Sequence, residues 1–279
     1  MAFLSKLALS SIRNTHRAWP MKLGKELPAR AGAFAAKRGF LKAEWFEFQP
    51  GLWMKLNVGD MIQETILLEG VWDPALTAMI QSTLKPGDVF LDVGAHAGYC
   101  TLLAAKQVGP TGVVLACEPN PASVRQLEAN IERSRLGNVI VESTAIGDST
   151  DPVTLFLNAE SNSGMASLSK ANVSGNTGLS VQCAPLDELV RKHGIERADL
   201  VKIDVEGAEM LVLRGMKDIL RRLRPTVVLE LEPHLLSSFG VTVSDVTQFL
   251  EDVDYSVSSL GMHSNFIGRP KAAALSNRY

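Results

Sequence analysis

From residue 86 onward, short apolar runs alternate with longer amphipathic segments. The runs are continuously apolar, which is typical of strands buried on both faces of a parallel sheet. The segments between them have the length of one helix each. The predicted strands are 89–93, 113–117, 139–145, 153–157, 200–203 and 226–231. This alternation predicts an α/β fold with a doubly wound, mainly parallel, Rossmann-like sheet.

The predicted helices lie between these strands, at 97–108, 121–133 and 206–222. Pro121 favours a helix start, because the first helical turn has no N–H hydrogen bond to lose. The stretch 158–178 interrupts the alternation and is rich in Ser, Asn and Gly. A loop of that length in a compact domain is typical of a functional segment, so we expect it to lie over the site.

Before residue 81 the pattern is different. Residues 1–38 predict helix fragments broken by Pro and Gly, and residues 45–56 predict a β-hairpin that turns at Pro50 and Gly51. We therefore divide the chain into an N-terminal helical and hairpin extension, 1–80, and a nucleoside-binding domain, 81–279.

The composition, with 46% hydrophobic and 21% charged residues, is that of a globular protein. The chain has three cysteines, Cys100, Cys117 and Cys183, and no two of them have metal-ligand spacing. Their odd number favours a reducing compartment. No apolar run approaches the roughly 20 residues of a membrane span. We therefore predict a cytoplasmic protein without a transmembrane segment.

The charge is unevenly distributed along the chain. Residues 1–42 contain nine basic residues against Glu26 alone, whereas the remainder contains 19 basic and 29 acidic residues. The basic arm could dock on the body, contact an anionic membrane or act as a transit peptide, and a solvated lead-in is the favoured interpretation. The acidic body argues against nucleic acid as a partner.

A glycine turn follows the strand 89–93. Gly94 permits a tight turn and close approach of a ligand, and Gly98 lets the next helix pack near the strand. In open parallel sheets, ligands bind beyond the carboxyl ends of such strands. Glu118 ends the next strand, 20 residues after Gly98, and an acid at that spacing typically binds both hydroxyls of a ribose. The spacing predicts a nucleoside site.

Two residues of the turn bear on the identity of the nucleoside. His96 replaces the middle glycine of a dinucleotide motif, and Asp92 would repel a pyrophosphate. Asp92 could instead bind the ammonium group of S-adenosyl-L-methionine while Glu118 binds the ribose, each contact contributing about 1.5–3 kcal/mol. The alternative is a βαβ unit that binds no nucleoside, in which Asp92 and Glu118 are only capping residues.

A second charged turn follows the strand 200–203. Lys202 lies inside an apolar strand, where burial is costly unless the amine is paired. Asp204 ends that strand and should face the same crevice as the earlier acids. Glu206 and Glu209 follow it, and they could instead cap the next helix.

These motifs, in this order, resemble the FkbM-type methyltransferases. The matching segments are 87–99, 118–121, 145–148, 186–189, 202–209, 213–215 and 224–225. His96 departs from the family, which usually has Asn there, and both side chains can form hydrogen bonds. The resemblance implies S-adenosyl-L-methionine as the methyl donor and usually an oxygen atom as the acceptor. Segment 161–167 resembles the family's acceptor-side loop.

The candidate cofactor-binding residues follow the strand ends. They are Asp92, Gly94, Ala95, His96, Gly98, Glu118, Pro119, Ala145 and Ile146. Ala145 and Ile146 would flank the adenine, although core packing explains them equally well. Asp148 could accept a hydrogen bond from the adenine amino group, or it could simply be solvated.

The candidate catalytic residues are Asp204, Lys202, Glu209 and Glu230. We expect Asp204, assisted by Lys202 or Glu209, to orient or deprotonate an acceptor hydroxyl. Glu230 and His234 are second choices, and His234 could equally be a surface residue at a helix start. No metal site is predicted, although Asp204 and Glu230 could share a divalent ion.

Two other functions remain open at this point. One is an NAD-dependent oxidoreductase on a similar sheet, and the other is a non-catalytic protein that binds a nucleoside. For a methyltransferase, the acceptor could be a small molecule, a sugar or a lipid. A homodimer is also left open.

Overall fold

The computed structural model describes residues 44–56, 61–158, 166–174, 177–261 and 264–272. The predicted basic arm, 1–42, and the centre of the predicted loop, 159–165, lie outside the described residues. Within the described ranges, no helix has the length and apolarity needed to cross a membrane.

The strands and helices of the described ranges follow the predicted alternation. The strands are β1 Glu44–Gln49, β2 Leu52–Leu56, β3 Val89–Val93, β4 Val113–Cys117, β5 Val139–Glu142, β6 Ala145–Ile146, β7 Val153–Leu157, β8 Ala166–Ser167, β9 Thr177–Val181, β10 Cys183–Ala184, β11 Leu200–Ile203, β12 Thr226–Glu230, β13 Tyr255–Ser259 and β14 Asn265–Pro270. The helices are α1 Met61–Glu69, α2 Pro74–Thr83, α3 Tyr99–Val108, α4 Pro121–Ser134, α5 Leu186–Lys192, α6 Glu209–Arg214, α7 Pro233–Ser237 and α8 Val243–Asp252.

The main sheet of the described residues has the strand order β13–β14–β12–β11–β3–β4–β5. The strands from β12 to β5 are parallel, while β14 is antiparallel to both β12 and β13. The predicted α/β fold with a mainly parallel sheet is therefore confirmed. The chain order reverses between β3 and β11, so a crevice opens beyond the carboxyl ends of these two strands.

Hydrophobic clusters cover both faces of this sheet. Phe90 packs in the cluster that includes residues of α2 and α3, whereas Leu91 packs in the cluster that includes residues of α5 and α6. Successive side chains of a strand point to opposite faces, so both faces need apolar residues. This is why β3 and β11 read as continuous apolar runs.

The predicted C-terminal bound of the third strand, 139–145, is wrong. β5 stops at Glu142, and Ala145 belongs to β6, which pairs in parallel with β10 outside the main sheet. The Ala145 N–H donates to the Gln182 carbonyl, so the backbone hydrogen bonds of this segment go to a different partner. β7 forms where it was predicted, but it pairs antiparallel with β8 and β9.

The predicted helix 206–222 is wrong at its start. Glu206 has a φ of +54° and Gly207 a φ of +103°, values that an α-helix cannot contain. The helix α6 therefore begins only at Glu209.

The same helix also ends early. α6 stops at Arg214, and a Cβ atom on the next residue, Gly215, would lie 1.9 Å from the Gly147 carbonyl oxygen. A side chain at Gly215 is thus excluded by this close backbone approach, and a short π-helical turn, Ile219–Leu223, follows. The sequence pattern also missed β13 and β14, since it placed the last strand at 226–231.

The predicted hairpin is present as β1 and β2, and it shares a core with the sheet. Leu52 and Met54 lie in the same buried cluster as Phe90. The fully buried Asn130 side chain of α4 accepts a 2.9 Å hydrogen bond from the Lys55 N–H and donates a 2.8 Å hydrogen bond to the Ala97 carbonyl. The hairpin is thus tied through one side chain to the turn that follows β3.

We predict that Asn130→Ala lowers the free energy of unfolding by about 1–3 kcal/mol, because it leaves the buried Ala97 carbonyl and the part-buried Lys55 N–H without their partner. Urea unfolding of the variant measures this loss. Glu128→Ala, on the exposed face of the same helix, serves as the control and should stay near the wild-type value. A loss below about 1 kcal/mol for Asn130→Ala would contradict the role of this side chain.

Candidate active site

A cavity of about 630 Å³ opens at the carboxyl ends of β3, β4, β11 and β12. Residues of β2, α1 and α2 form an apolar wall across from these strand ends. The wall contains Met54, Ile62, Ile66, Trp72 and Leu76. A largely apolar cavity of this volume with a few polar groups is typical of a small-molecule site.

Most of the predicted site residues line this cavity. Those that do are Gly94, Ala95, His96, Glu118, Pro119, Ala145, Ile146, Lys202, Asp204, Glu230 and His234. The described lining does not include Asp92, Gly98, Asp148 or Glu209.

The glycine turn passes very close to β11. A Cβ atom on Gly94 would lie 1.8 Å from the Asp204 carbonyl oxygen, and the φ of Gly94 is +80°. At Gly98, with a φ of +92°, a Cβ atom would lie 2.3 Å from the Leu127 side chain. The positive φ values favour glycine at both positions, and at Gly94 the close group is the Asp204 carbonyl rather than the ligand that the sequence suggested.

Glu118 is held rigidly at the cavity wall. Its Oε2 accepts a 2.8 Å hydrogen bond from the His96 N–H, and its Oε1 accepts one of the same length from the Asn120 N–H. Burial raises the pKa of Glu118 to about 7, although the two backbone hydrogen bonds act in the opposite direction. Each oxygen keeps capacity for a further donor, so the carboxylate can bind a pair of hydroxyls.

Asp92 does not face the cavity as its place in the sequence suggested. It is fully buried in β3, and its Oδ2 accepts a 2.6 Å hydrogen bond from the Thr101 hydroxyl. Asp92 pairs in register with Lys202 of β11, so both side chains point to the same face of the sheet. Its Oδ1 lies 3.7 Å from the Lys202 amine. This geometry therefore directs Asp92 toward Thr101 and Lys202, and Asp92 does not line the described cavity.

The Lys202 amine lies between the glycine turn that follows β3 and the charged turn that follows β11. It donates a 2.7 Å hydrogen bond to the Gly94 carbonyl and lies 3.0 Å from Asp204 Oδ2. Burial alone would lower the pKa of Lys202, but the negative charges of Asp204 and Asp92 raise it above its ordinary value. The amine therefore stays charged and links the glycine turn to the acid at the end of β11.

Glu209 supports the second charged turn from behind. Its Oε1 accepts hydrogen bonds of 3.2 Å from the Val205 and Gly207 N–H groups. Burial raises the pKa of Glu209 to about 7. Glu209 therefore contacts the turn and does not line the described cavity.

Glu206 points into the cavity from the turn that Glu209 holds. Burial, followed by the negative charge of Asp204, raises the pKa of Glu206 to about 8. In the sequence, Glu206 stood out only as part of the charged turn.

Glu230 and Asp204 form a hydrogen-bonded pair of acids. The negative charge of Asp204, burial and the hydrogen bond between the two side chains together raise the pKa of Glu230 to about 9. Glu230 therefore keeps its proton at neutral pH. Over the residues that the structure describes, no group of three or more His, Cys, Asp or Glu side chains is arranged to hold a metal ion.

The described end of the predicted loop contacts the charged turn. The Ser167 hydroxyl donates a 2.8 Å hydrogen bond to the Glu206 carbonyl, and the Asn172 amide donates one of 2.9 Å to the same oxygen. Ala166 and Leu168 line the cavity. This part of the loop thus contributes both to the cavity wall and to the support of Glu206.

Sequence reasoning missed several polar lining residues. Asp73 accepts a hydrogen bond from the Leu76 N–H at the start of α2 and a 2.8 Å bond from the Asn265 side chain of β14. Asp73 precedes Pro74, a sequence signal for a helix start but not for a cavity. Asn265 and Glu232 carry no sequence signal, because only the tertiary fold brings them to this end of the sheet.

Comparisons with known proteins agree with this geometry. The family described as "Methyltransferase FkbM domain" matches residues 92–257. Hexuronic acid methyltransferase AglP from Haloferax volcanii is 28% identical over 182 residues, which cover 64% of this chain and 69% of the relative. The 31-O-demethyl-FK506 methyltransferase FkbM from Streptomyces tacrolimicus is 30% identical over 162 residues, which cover 48% of this chain and 62% of the relative.

A solved structure gives the same fold. Methyltransferase FkbM from Methylobacillus flagellatus KT superposes with a TM-score of 0.50 at 13% identity, covering 88% of this chain and 60% of that chain. This chain therefore spans about two thirds, or somewhat less, of the length of the relatives that it matches.

We predict that Gly94→Ala lowers the free energy of unfolding by about 1–3 kcal/mol, because the added methyl group would overlap the Asp204 carbonyl. The displaced turn should also weaken binding of S-adenosylhomocysteine at least tenfold, as measured by calorimetry. Gly137→Ala is the matched control, since a Cβ atom on Gly137 would meet nothing within 4 Å. Equal behaviour of the two variants would refute the close packing of the turn.

Proposed function

Since this chain belongs to the FkbM family of S-adenosylmethionine-dependent methyltransferases, we propose that it transfers the methyl group to a hydroxyl of a sugar or another small molecule. The observation that carries the proposal is one cavity with Glu118 at one side and the Asp204–Glu230 pair at the other. The names of two relatives, which specify a hexuronic acid and 31-O-demethyl-FK506, support an oxygen-bearing acceptor. The family match favours methyl transfer over the oxidoreductase and the non-catalytic alternatives.

We assign the cofactor to the side of the cavity that Glu118 lines. The fixed carboxylate of Glu118 would accept hydrogen bonds from the two ribose hydroxyls. Ala145 and Ile146 are buried at the cavity wall and would contact the adenine, with Pro119 beside them. The methionine part would lie along Gly94, Ala95 and His96. Asp92 and Gly98 would act indirectly, by holding this turn in shape.

We assign the acceptor to the side lined by Asp204 and Glu230. When bound, S-adenosyl-L-methionine supplies a methyl group on a positively charged sulfur that leaves as a neutral thioether. The acceptor oxygen forms the new bond to the methyl carbon as the bond from that carbon to sulfur breaks. Asp204 accepts the hydroxyl proton, and holding the two reactants in line can contribute about 7–11 kcal/mol.

The neighbours of Asp204 keep it ready to accept that proton. Protonated Glu230 donates a hydrogen bond to Asp204, and the Lys202 amine lies on its other side. Both contacts hold the Asp204 carboxyl group in one orientation. Glu209 contributes by holding the turn that follows, so its part in catalysis is indirect.

We predict that Asp204→Asn lowers the methyl-transfer rate about 10²–10⁴-fold while S-adenosylhomocysteine still binds, because the amide cannot accept the proton. Glu230→Gln should retain most of the activity near pH 7, since its amide can still donate to Asp204. The wild-type rate should fall as the pH rises through about 9, where Glu230 loses its proton, and the Glu230→Gln profile should lack this fall. Identical pH profiles for the two proteins would exclude this role of Glu230.

We predict that Glu118→Gln weakens S-adenosylhomocysteine binding about 10–100-fold, because a charge-assisted hydrogen bond is lost. In the wild type, the affinity should decrease as the pH falls through about 7, where Glu118 becomes protonated. Thermal unfolding with each ligand measures both effects, since a bound ligand raises the melting temperature. NADH should give no protection, and Glu128→Gln should bind like the wild type. Protection by NADH alone would instead support an oxidoreductase.

A further inference from the structure

The cavity continues beyond the residues assigned to the cofactor. This second part, which we call the acceptor end, lies between the start of α2, the end of β12 and the start of β14. Its lining consists of Trp72, Asp73, Leu76, Asp204, Glu206, Glu230, Glu232, His234 and Asn265. These residues come from opposite ends of the described chain, and the 2.8 Å hydrogen bond from Asn265 to Asp73 joins them.

The charged groups of the acceptor end are mainly carboxyl groups. Among the described lining residues, they are Asp73, Asp204, Glu206, Glu230 and Glu232. No arginine lines the described cavity, and its lysine, Lys202, already contacts Gly94 and Asp204. His234 already has an acidic partner, because its Nδ1 lies 3.6 Å from Glu232 Oε2.

Among the described residues, this lining has no arginine and no lysine other than Lys202. Carboxylates and phosphates are usually bound by the fork of an arginine, by a free lysine or by exposed backbone N–H groups. Here a bound anion would instead meet several acids in a buried space. The pKa values of Glu206 and Glu230 are already raised by burial and by Asp204, so the acceptor end resists additional negative charge.

The remaining lining suits a molecule with both apolar faces and hydroxyl groups. Trp72 is half-buried, packs against the core and lines the cavity, as Asp73 and Leu76 also do. Aromatic rings next to carboxylates provide a surface for the apolar face of a sugar or for an ammonium group, while the acids accept hydroxyl hydrogen bonds.

We infer that the acceptor brings no negative charge into the cavity and is a neutral polyol, such as a hexose unit, or its amine-bearing counterpart. This inference rests on the proposed function, because it concerns the second substrate of the same site. It separates this chain from the Haloferax relative, whose name specifies a hexuronic acid. An anion would meet the same negative charge of Asp204 that raises the pKa values of Glu206 and Glu230, and this repulsion would be the basis of the discrimination.

The test uses the full chain with S-adenosylmethionine labelled in its methyl group and a metabolite extract of the cells that make the protein. Labelled products are hydrolysed to their monomeric units and separated by anion and cation exchange. We expect at least tenfold more label in neutral and cationic units than in anionic ones. Half or more of the label in anionic units would overturn the inference but leave methyl transfer standing. No label in any fraction would overturn methyl transfer and the inference together.

A charge-reversal variant tests the cause of the discrimination. Glu232 lies at the rim of the acceptor end, with about a third of its side chain exposed, so Glu232→Arg should fold. This variant should raise the anionic share of the label several-fold. Glu128→Arg makes the same charge change on the exposed face of α4 and should leave the share unchanged. An unchanged share in Glu232→Arg would show that the lining charge does not select the acceptor.

Discussion

The geometry of this site depends on one buried ammonium group. Lys202 is anchored in β11, yet its amine reaches the carbonyl of Gly94 in the neighbouring turn and the carboxylate of Asp204 beside it. Burial of a lysine is unfavourable unless its charge is compensated, and here Asp92 and Asp204 supply the compensation. The amine therefore holds the glycine turn and Asp204 in a fixed relation, because moving either one would leave a buried charge without a partner.

Much of the fold could be predicted from the sequence, because burial on both faces of a parallel sheet leaves continuous apolar runs. The strands 89–93, 113–117 and 200–203 have the predicted bounds, and the glycine turn lies where Gly94 and Gly98 indicated. The errors arose where tertiary contacts override local pattern. The helix predicted to begin at 206 was wrong because Glu206 and Gly207 adopt positive φ values. With this backbone, Glu206 lines the cavity.

The residues of the candidate site also fall into two groups: those that the local sequence indicates, and those that only tertiary contacts bring to the cavity. Glu118 and Asp204 could be found because each ends a strand, and the ends of adjacent parallel strands meet. The direction of Asp92 could not be found, because it depends on the register that sets Asp92 beside Lys202. Trp72, Asp73 and Asn265 could not be found either, since α2 and β14 meet at the cavity only after folding is complete.

The backbone at Glu206 has a consequence for substitutions at this position. A non-glycine residue in the left-handed region usually costs about 1 kcal/mol or more, and Gly or Asn would adopt the same φ more easily. Ser167, Asn172 and Glu209 hold the surrounding backbone in this unfavourable shape. Replacing Glu206 by glycine or asparagine would therefore relieve backbone strain, but it would also remove a carboxyl group from the cavity wall.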